Sequence, residues 1–295
     1  MLSLTAMLTA TTPRKLLQVR VVPGEEHSCE GKGHCLRANA PPHHFTFCTR
    51  LEKEVSSLRR HNGVWEPAAT GAFVQALKAV PGAQVIDVGA RSGWFSTVGA
   101  IMGHRVLAVE PNYESSCYVE RNAAKNNVSQ RVVLANHGAD AEEREMKIQG
   151  MRMLPPDSKE AMSKVDGVFT KVPHIIRTVR LDSLIPLTHS RTLVIKLDIE
   201  GYECEALMGA GRLLRSLRVA FLMMEWDGGL PATRRGCDWN EAVRPLLERG
   251  LVPQSSPSIS GPIIDFRPMA APIPTTLLFW RDPSLLRQLN QTALR

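Results

Sequence analysis

The chain has 295 residues, 43% of them hydrophobic and 22% charged, and a formal net charge of +7. That length suits one large α/β domain with extensions or two small domains, and no run reaches the roughly 18–20 apolar residues that span a membrane. The positive excess lies on the flanks: residues 1–80 carry 10 Lys and Arg against 6 Asp and Glu, residues 231–295 carry 8 against 5, and residues 81–230 balance at 18 against 18. A nucleic-acid enzyme concentrates basic surface around its site, so no nucleic-acid partner is expected.

Residues 1–24 contain no acid and several Ser and Thr. This is the composition of a flexible tail or an organellar targeting segment; a secretory signal would have a basic start and a longer apolar stretch. Cytoplasmic, organellar and secretory locations all stay open. Residues 25–80 form an N-terminal extension with a Cys/His-rich loop and lead-in helices. Cys29, Cys35 and Cys48 fall near His27, His34, His43 and His44. Their spacing lacks the C-x₂-C pairing of common zinc sites. Free thiols in a loop-rich segment are the plain reading, with a disulfide between two of the three, or zinc, as alternatives.

Residues 81–295 read as the main domain. Gln84–Gly89 is a buried strand, Trp94–Met102 a helix, Arg105–Glu110 a strand, Tyr113–Asn126 a helix, and Arg131–Ala135 a strand. Alternation with short connections predicts a parallel, doubly wound sheet. Residues 136–180 are polar and mixed, an excursion or lid. Thr192–Asp198 is the fourth strand, Tyr202–Leu217 a helix, Val219–Trp226 the fifth strand, Asp238–Arg249 a helix closed by Gly250, Leu251–Gln254 a sixth strand and Thr275–Trp280 a seventh. With no helix between them, the last two strands are expected to pair antiparallel.

Chemistry concentrates at the carboxyl ends of these strands, where open parallel sheets bind ligands. The stretch VIDVGARSGWFS (Val85–Ser96) places Gly89 and Gly93 after the first strand, and glycine lets a ligand approach the backbone. Glu110 ends the second strand, where one carboxylate can accept from both hydroxyls of a ribose. A dinucleotide turn reads G-x-G-x-x-G. Here the order is D-x-G-x-x-x-G, Trp94 and Phe95 crowd the path of a pyrophosphate, and Asp87 suits a cationic ligand. S-adenosylmethionine, with its sulfonium and ammonium, fits better than NAD.

Two acidic strand ends follow: Asp198, Glu200 and Glu203 in IKLDIEGYE, and Glu225 and Asp227 in MMEWDGG. A carboxylate beside the methyl donor can remove the proton of an acceptor hydroxyl; Asp198 is the candidate. Asp198, Glu225 and Asp227 could instead hold a divalent metal that acidifies that hydroxyl. Glu200 and Glu203 sit where a helix begins, and capping is the preferred reading for Glu203. Lys196, mid-strand, is expected to pair with a buried acid.

VIDVGARSGWFS, VLAVEPN, TVRLDSLI and LVIKLDIEGYECEALMGA together resemble the FkbM-type family of S-adenosylmethionine-dependent methyltransferases. The family's I-K-x-D-x-E-G-x-E signature is filled by Ile195, Lys196, Asp198, Glu200, Gly201 and Glu203, and the likeness runs from about Trp65 to Asp227. It implies a Rossmann-like class I methyltransferase fold: a seven-stranded, mostly parallel sheet with an antiparallel last strand. It also implies methyl transfer, usually to a hydroxyl of a small molecule or glycan. Asp87, Gly89, Gly93 and Glu110 would contact the donor, with Arg91 inside the turn and Asn112 at the next helix entry. His137, after the third strand, departs from the small or hydroxyl residue of many members and is a weaker candidate for the adenine end. The charged 140–175 stretch would be an acceptor lid. The competing readings are a nucleic-acid or protein methyltransferase, against which the absence of an N-P-P-Y/F motif counts, and a catalytically inactive S-adenosylmethionine-binding module.

Overall fold

A computed structural model describes residues 19–21, 29, 33–149, 152–154, 174–226, 235–255 and 277–293. Strand β1 is Val19–Val21. An N-terminal hairpin, β2 (His34–Ala40) and β3 (His43–Thr49), leads to α1 (Glu52–Arg60) and α2 (Pro67–Ala79). Then come β4 (Gln84–Val88), α3 (Trp94–Ile101), β5 (Val106–Val109), α4 (Tyr113–Lys125) and β6 (Val132–Ala135). The excursion supplies β7 (Gly138–Ala139), β8 (Glu145–Gln149), β9 (Arg152–Leu154) and β10 (His174–Val179). The remainder is β11 (Thr192–Leu197), α5 (Glu203–Met208), α6 (Gly211–Ser216), β12 (Arg218–Glu225), α7 (Trp239–Glu248), β13 (Val252–Gln254), β14 (Leu277–Arg281) and α8 (Pro283–Ala293).

The main sheet runs β1-β6-β5-β4-β11-β12-β14-β13. Strands β6, β5, β4, β11 and β12 are parallel neighbours, and β14 lies antiparallel to both β12 and β13. This is the expected seven-strand order, with one addition. Strand β1 pairs antiparallel with β6 at the edge, so residues 19–21 of the presumed tail belong to the sheet. The central strands are buried on both faces, as parallel strands covered by helices must be. Val85, Val194 and Phe221 pack on the side of α2 and α3; Ile86, Ile195 and Leu222 pack on the side of α5, α6 and α7. In-register neighbours share a face, so Lys196 stands beside Asp87.

Three expectations need correction. The helix drawn over Tyr202–Leu217 is two helices broken at Gly209. A Cβ there would lie 2.1 Å from the Asp140 carbonyl oxygen, and the Gly209 carbonyl accepts from the Asp182 amide instead of continuing the helix. The cysteines are neither free nor metal-ligating: Cys35–Cys48 staples the hairpin, Cys29–Cys117 ties the extension to α4, and Cys204–Cys237 ties α5 to the segment before α7. Cys35–Cys48 is the alternative pairing within the extension, whereas Cys29–Cys117 joins regions that the sequence presented as separate. The excursion is a small sheet, ordered β7-β10-β8-β9. Residues 155–173 lie outside the described residues.

The N-terminal extension is welded to the domain. Asn122 of α4 exchanges hydrogen bonds with the Cys48 backbone and also donates to the Ser92 carbonyl. Trp94, expected to crowd a pyrophosphate, turns away beneath the hairpin onto Phe45 and Phe47, and its indole donates to Thr70. Phe95 packs on Phe73. Among the described residues, no helix is long and apolar enough to cross a membrane.

Candidate active site

A cleft of about 600 Å³, open to solvent, lies beyond the carboxyl ends of β4, β5, β6 and β11. Gly89, Arg91, Glu110, Asn112, His137 and Asp198 border it, so six of the eight residues expected at the donor or acceptor converge. Asp87 and Gly93 stand behind its wall.

The glycine turn is forced by proximity. Gly89 has φ +77°, and a Cβ there would lie 1.9 Å from the Asp198 carbonyl oxygen. The turn after β4 and the end of β11 therefore touch backbone to backbone. Gly93 caps α3 in the left-handed region, with a would-be Cβ 3.0 Å from Val119 of α4. Arg91, between them, also has positive φ. Its Nε lies 3.8 Å from Glu54 of α1, and its backbone N–H donates to Glu110 Oε2 at 2.7 Å.

Glu110 is buried, and its second oxygen accepts from the Asn112 N–H at 2.8 Å. Burial pushes its pKa up to about 7 against the pull of these two amides. Each carboxylate oxygen retains a second lone pair, the arrangement a vicinal diol requires. Asn112 caps α4 through Ser115, and the Asn136 amide donates to the Glu110 carbonyl, fixing the loop that carries His137. Burial lowers the His137 pKa and favours the neutral ring.

The opposite wall is built from charge. Asp198, 28% exposed at its side chain, faces Lys196 Nζ at 3.4 Å. Burial raises its pKa, but Lys196, Arg91 and a hydrogen bond from Glu225 outweigh burial and hold it below the ordinary carboxyl value. Glu225 goes the other way, up to about 9, through burial and the nearby Asp198, Glu200 and Glu203. At neutral pH, Glu225 thus carries the proton that it donates to an ionised Asp198. Lys196 pairs with buried acids as expected, and Asp87, wholly buried, accepts from Ser96 at 2.6 Å.

Two acids differ from their sequence reading. Glu200 lies before the helix, not in it, with φ +58°, and borders the cleft. Glu203 opens α5 without capping it: its Oε1 accepts from the Ile199 and Gly201 amides of the preceding loop, and burial raises its pKa to about 7. Yet one oxygen each from Asp198, Glu203 and Glu225 lies within 4.8 Å of the others, a spacing that suits a metal ion. Glu203 takes the place expected of Asp227, which lies outside the described residues.

Sequence reasoning set the excursion over the site as an acceptor lid without naming residues, and it missed the extension's part. Ile148 and Met153 roof the cleft between Gly138 and Ile199, packed through Met146 and Tyr202, so this sheet borders the same hollow as Glu110. Glu66, with φ +42° at the entry to α2, is close enough to Asp198 for that charge, after burial, to raise its pKa. The alternation in EMKIQ hinted at a strand, but nothing in it named a partner.

The methyltransferase FkbM domain family matches residues 87–248, more than half of the chain. No curated protein matches the sequence. Similar solved structures include a rRNA methylase from Streptococcus thermophilus, at 13% identity over 73% of this chain and 96% of that one, with TM-score 0.38. Another is a SAM-dependent methyltransferase from Agrobacterium tumefaciens, at 9% identity over 86% and 71%, with TM-score 0.41. A third is precorrin-6y C5,15-methyltransferase from Geobacter metallireducens, at 15% identity over 72% and 88%, with TM-score 0.36. Likeness at this level carries no substrate.

Proposed function

The chain belongs to the FkbM family of S-adenosylmethionine-dependent methyltransferases, and we propose that it methylates a hydroxyl oxygen of a small molecule or glycan with Asp198 as general base. The observation that carries this reading is the Asp198 carboxylate, partly exposed, beside Lys196, in backbone contact with the glycine turn and bordering the same cleft as Glu110. The balanced charge of residues 81–230 supports a small acceptor over a nucleic acid.

The donor fits the residues present. Glu110 offers two pinned carboxylate oxygens to a ribose, and Gly89 leaves its backbone bare. Arg91 and Asn112 hold Glu110 through their amides, and neutral His137 with Ile148 and Met153 walls the adenine end. Gly93 and Asp87 shape the turn from behind. When bound, S-adenosylmethionine supplies an electrophilic methyl group on a sulfonium. Asp198 orients the acceptor hydroxyl and takes its proton as the new O–C bond forms and the C–S bond breaks. Asp198 would hold the proton as the C–S bond's electron pair leaves with the departing thioether. Glu225, protonated, holds Asp198 in place.

The test has two stages. Calorimetry of the pure protein with S-adenosylmethionine should show one site; no heat at millimolar donor would end the proposal. Transfer of labelled methyl into metabolite and glycan extracts should then yield a base-stable ether. Label found in protein or RNA instead would replace the acceptor class.

A further inference from the structure

Lys196 is a buried ammonium on the strand that delivers the base. Its side chain is 6% exposed. It leaves β11 on the α3 face, with the Phe95 ring centroid 5.9 Å from Nζ. An ammonium carries three protons and no acceptor, and the polar atoms around this one come from both walls of the cleft. The Gly89 carbonyl accepts at 2.7 Å. Asp198 presents its carbonyl at 3.5 Å and Oδ2 at 3.4 Å. Asp87 Oδ1, which has no hydrogen-bond partner, stands at 3.9 Å.

Building on the assignment of Asp198 as base, we propose that Lys196 is a positioning residue whose ammonium is the site's resident cation, fixing the Gly89 turn and the Asp198 carboxylate to one point charge. It thereby performs the task that a divalent ion would perform among Asp198, Glu203 and Glu225, and the enzyme needs no such ion. The geometry favours this over a metal. An ion bound to Asp198 at the usual 2.0–2.6 Å would sit within roughly 6 Å of Nζ, where two positive centres repel strongly at low dielectric. It would also have to draw on Glu203, whose Oε1 already serves two amides.

A single charge shared by the two walls explains the spacing of the sequence. Lys196 lies two residues before Asp198, on the same side of the strand, and beside Asp87 in register. Its four-carbon stem reaches past the strand end to the turn.

The experiment uses the full chain as wild type, Lys196→Met and Lys196→Ala, with two probes. Manganese(II) chloride binding is read by loss of the free-ion electron paramagnetic resonance signal, and S-adenosylhomocysteine binding by calorimetry. The wild type is expected to leave the manganese signal unchanged to millimolar concentration. Lys196→Ala, which removes the ammonium beside Asp87 and Asp198, should bind manganese at least tenfold more tightly than wild type. Both variants should bind S-adenosylhomocysteine at least tenfold more weakly, Lys196→Met showing that charge and not volume matters. Micromolar manganese binding by the wild type would overturn the proposal, and that arm stands even if the variants do not fold. So would variants that bind S-adenosylhomocysteine as the wild type does, or Lys196→Ala without a gain in manganese binding. A wild type that ignores S-adenosylhomocysteine would end the donor assignment, while the manganese arm would still decide the role of Lys196.

Discussion

The two walls of the cleft are made of different materials. The wall assigned to the donor is backbone: a left-handed glycine, two amides on Glu110, the Glu110 carbonyl held by Asn136, and the Ser115 amide held by Asn112. The wall assigned to the acceptor is side-chain charge: Asp198 with its pKa held low, Glu225 with its pKa raised to about 9, and Lys196 between the walls. Backbone binds any ligand of the right outline and costs little to keep. Charges held by one another are tuned, and one substitution shifts them all. The contrast predicts that lesions on one wall should cost affinity, and lesions on the other should cost rate.

The sharpest test is Asp198→Asn, which keeps shape and removes the base. Methyl transfer should fall by about 10²–10⁴-fold, with calorimetric donor affinity little changed. A parallel loss of affinity would mean that the walls are not separable. Gly89→Ala attacks the other side. A Cβ at 1.9 Å from a carbonyl oxygen forces the backbone apart at the point where the walls touch. Donor affinity should drop more than tenfold. Stability should fall by at least about 1 kcal/mol for an alanine at positive φ, read as a lower urea midpoint. Glu110→Gln is milder. Its amide nitrogen cannot accept from the Arg91 or Asn112 N–H, so one charge-assisted bond worth about 1.5–3 kcal/mol is lost. Donor affinity should weaken by about 10–150-fold, with the catalytic rate at saturating donor nearly intact.

The backbone wall was the legible one. Gly89, Glu110 and the strand order announce themselves because a left-handed turn and a buried parallel strand each restrict which residues are tolerated. Asp198 was legible through its place at a strand end. The break at Gly209 was not, because its causes are distant in sequence: the Asp182 amide takes the Gly209 carbonyl, and the Asp140 carbonyl leaves no room for a Cβ there. Nor was the part of Glu54 and Glu66, which reach the site only because hairpin and α4 are bonded through Asn122 and stapled through Cys29–Cys117. Disulfide partners 88 residues apart leave no local pattern. Glu200 was read with the helix start, whereas it stands in a left-handed turn three residues before the helix begins at Glu203, and so borders the cleft.

The smallest effect concerns acidity, and it separates the walls most finely. The pKa of Glu225 is raised to about 9, so the folded chain keeps a proton that the unfolded chain releases above its ordinary value of 4.5. The unfolded state then binds fewer protons, and stability falls as pH rises through that window, by at most about 1.4 kcal/mol per pH unit for one group. Glu110 and Glu203, raised to about 7, contribute the same sign only up to that pH. Asp198, held low, contributes the opposite: stability present above its ordinary value and lost in acid. Glu225→Gln should therefore flatten the loss of stability between pH 7 and 9 while leaving the slope between pH 5 and 7 set by Glu110 and Glu203. Urea midpoints across that range decide it. An unchanged slope above pH 7 would mean that Glu225 is ionised in the folded state, and that Asp198 works without its neighbour's proton.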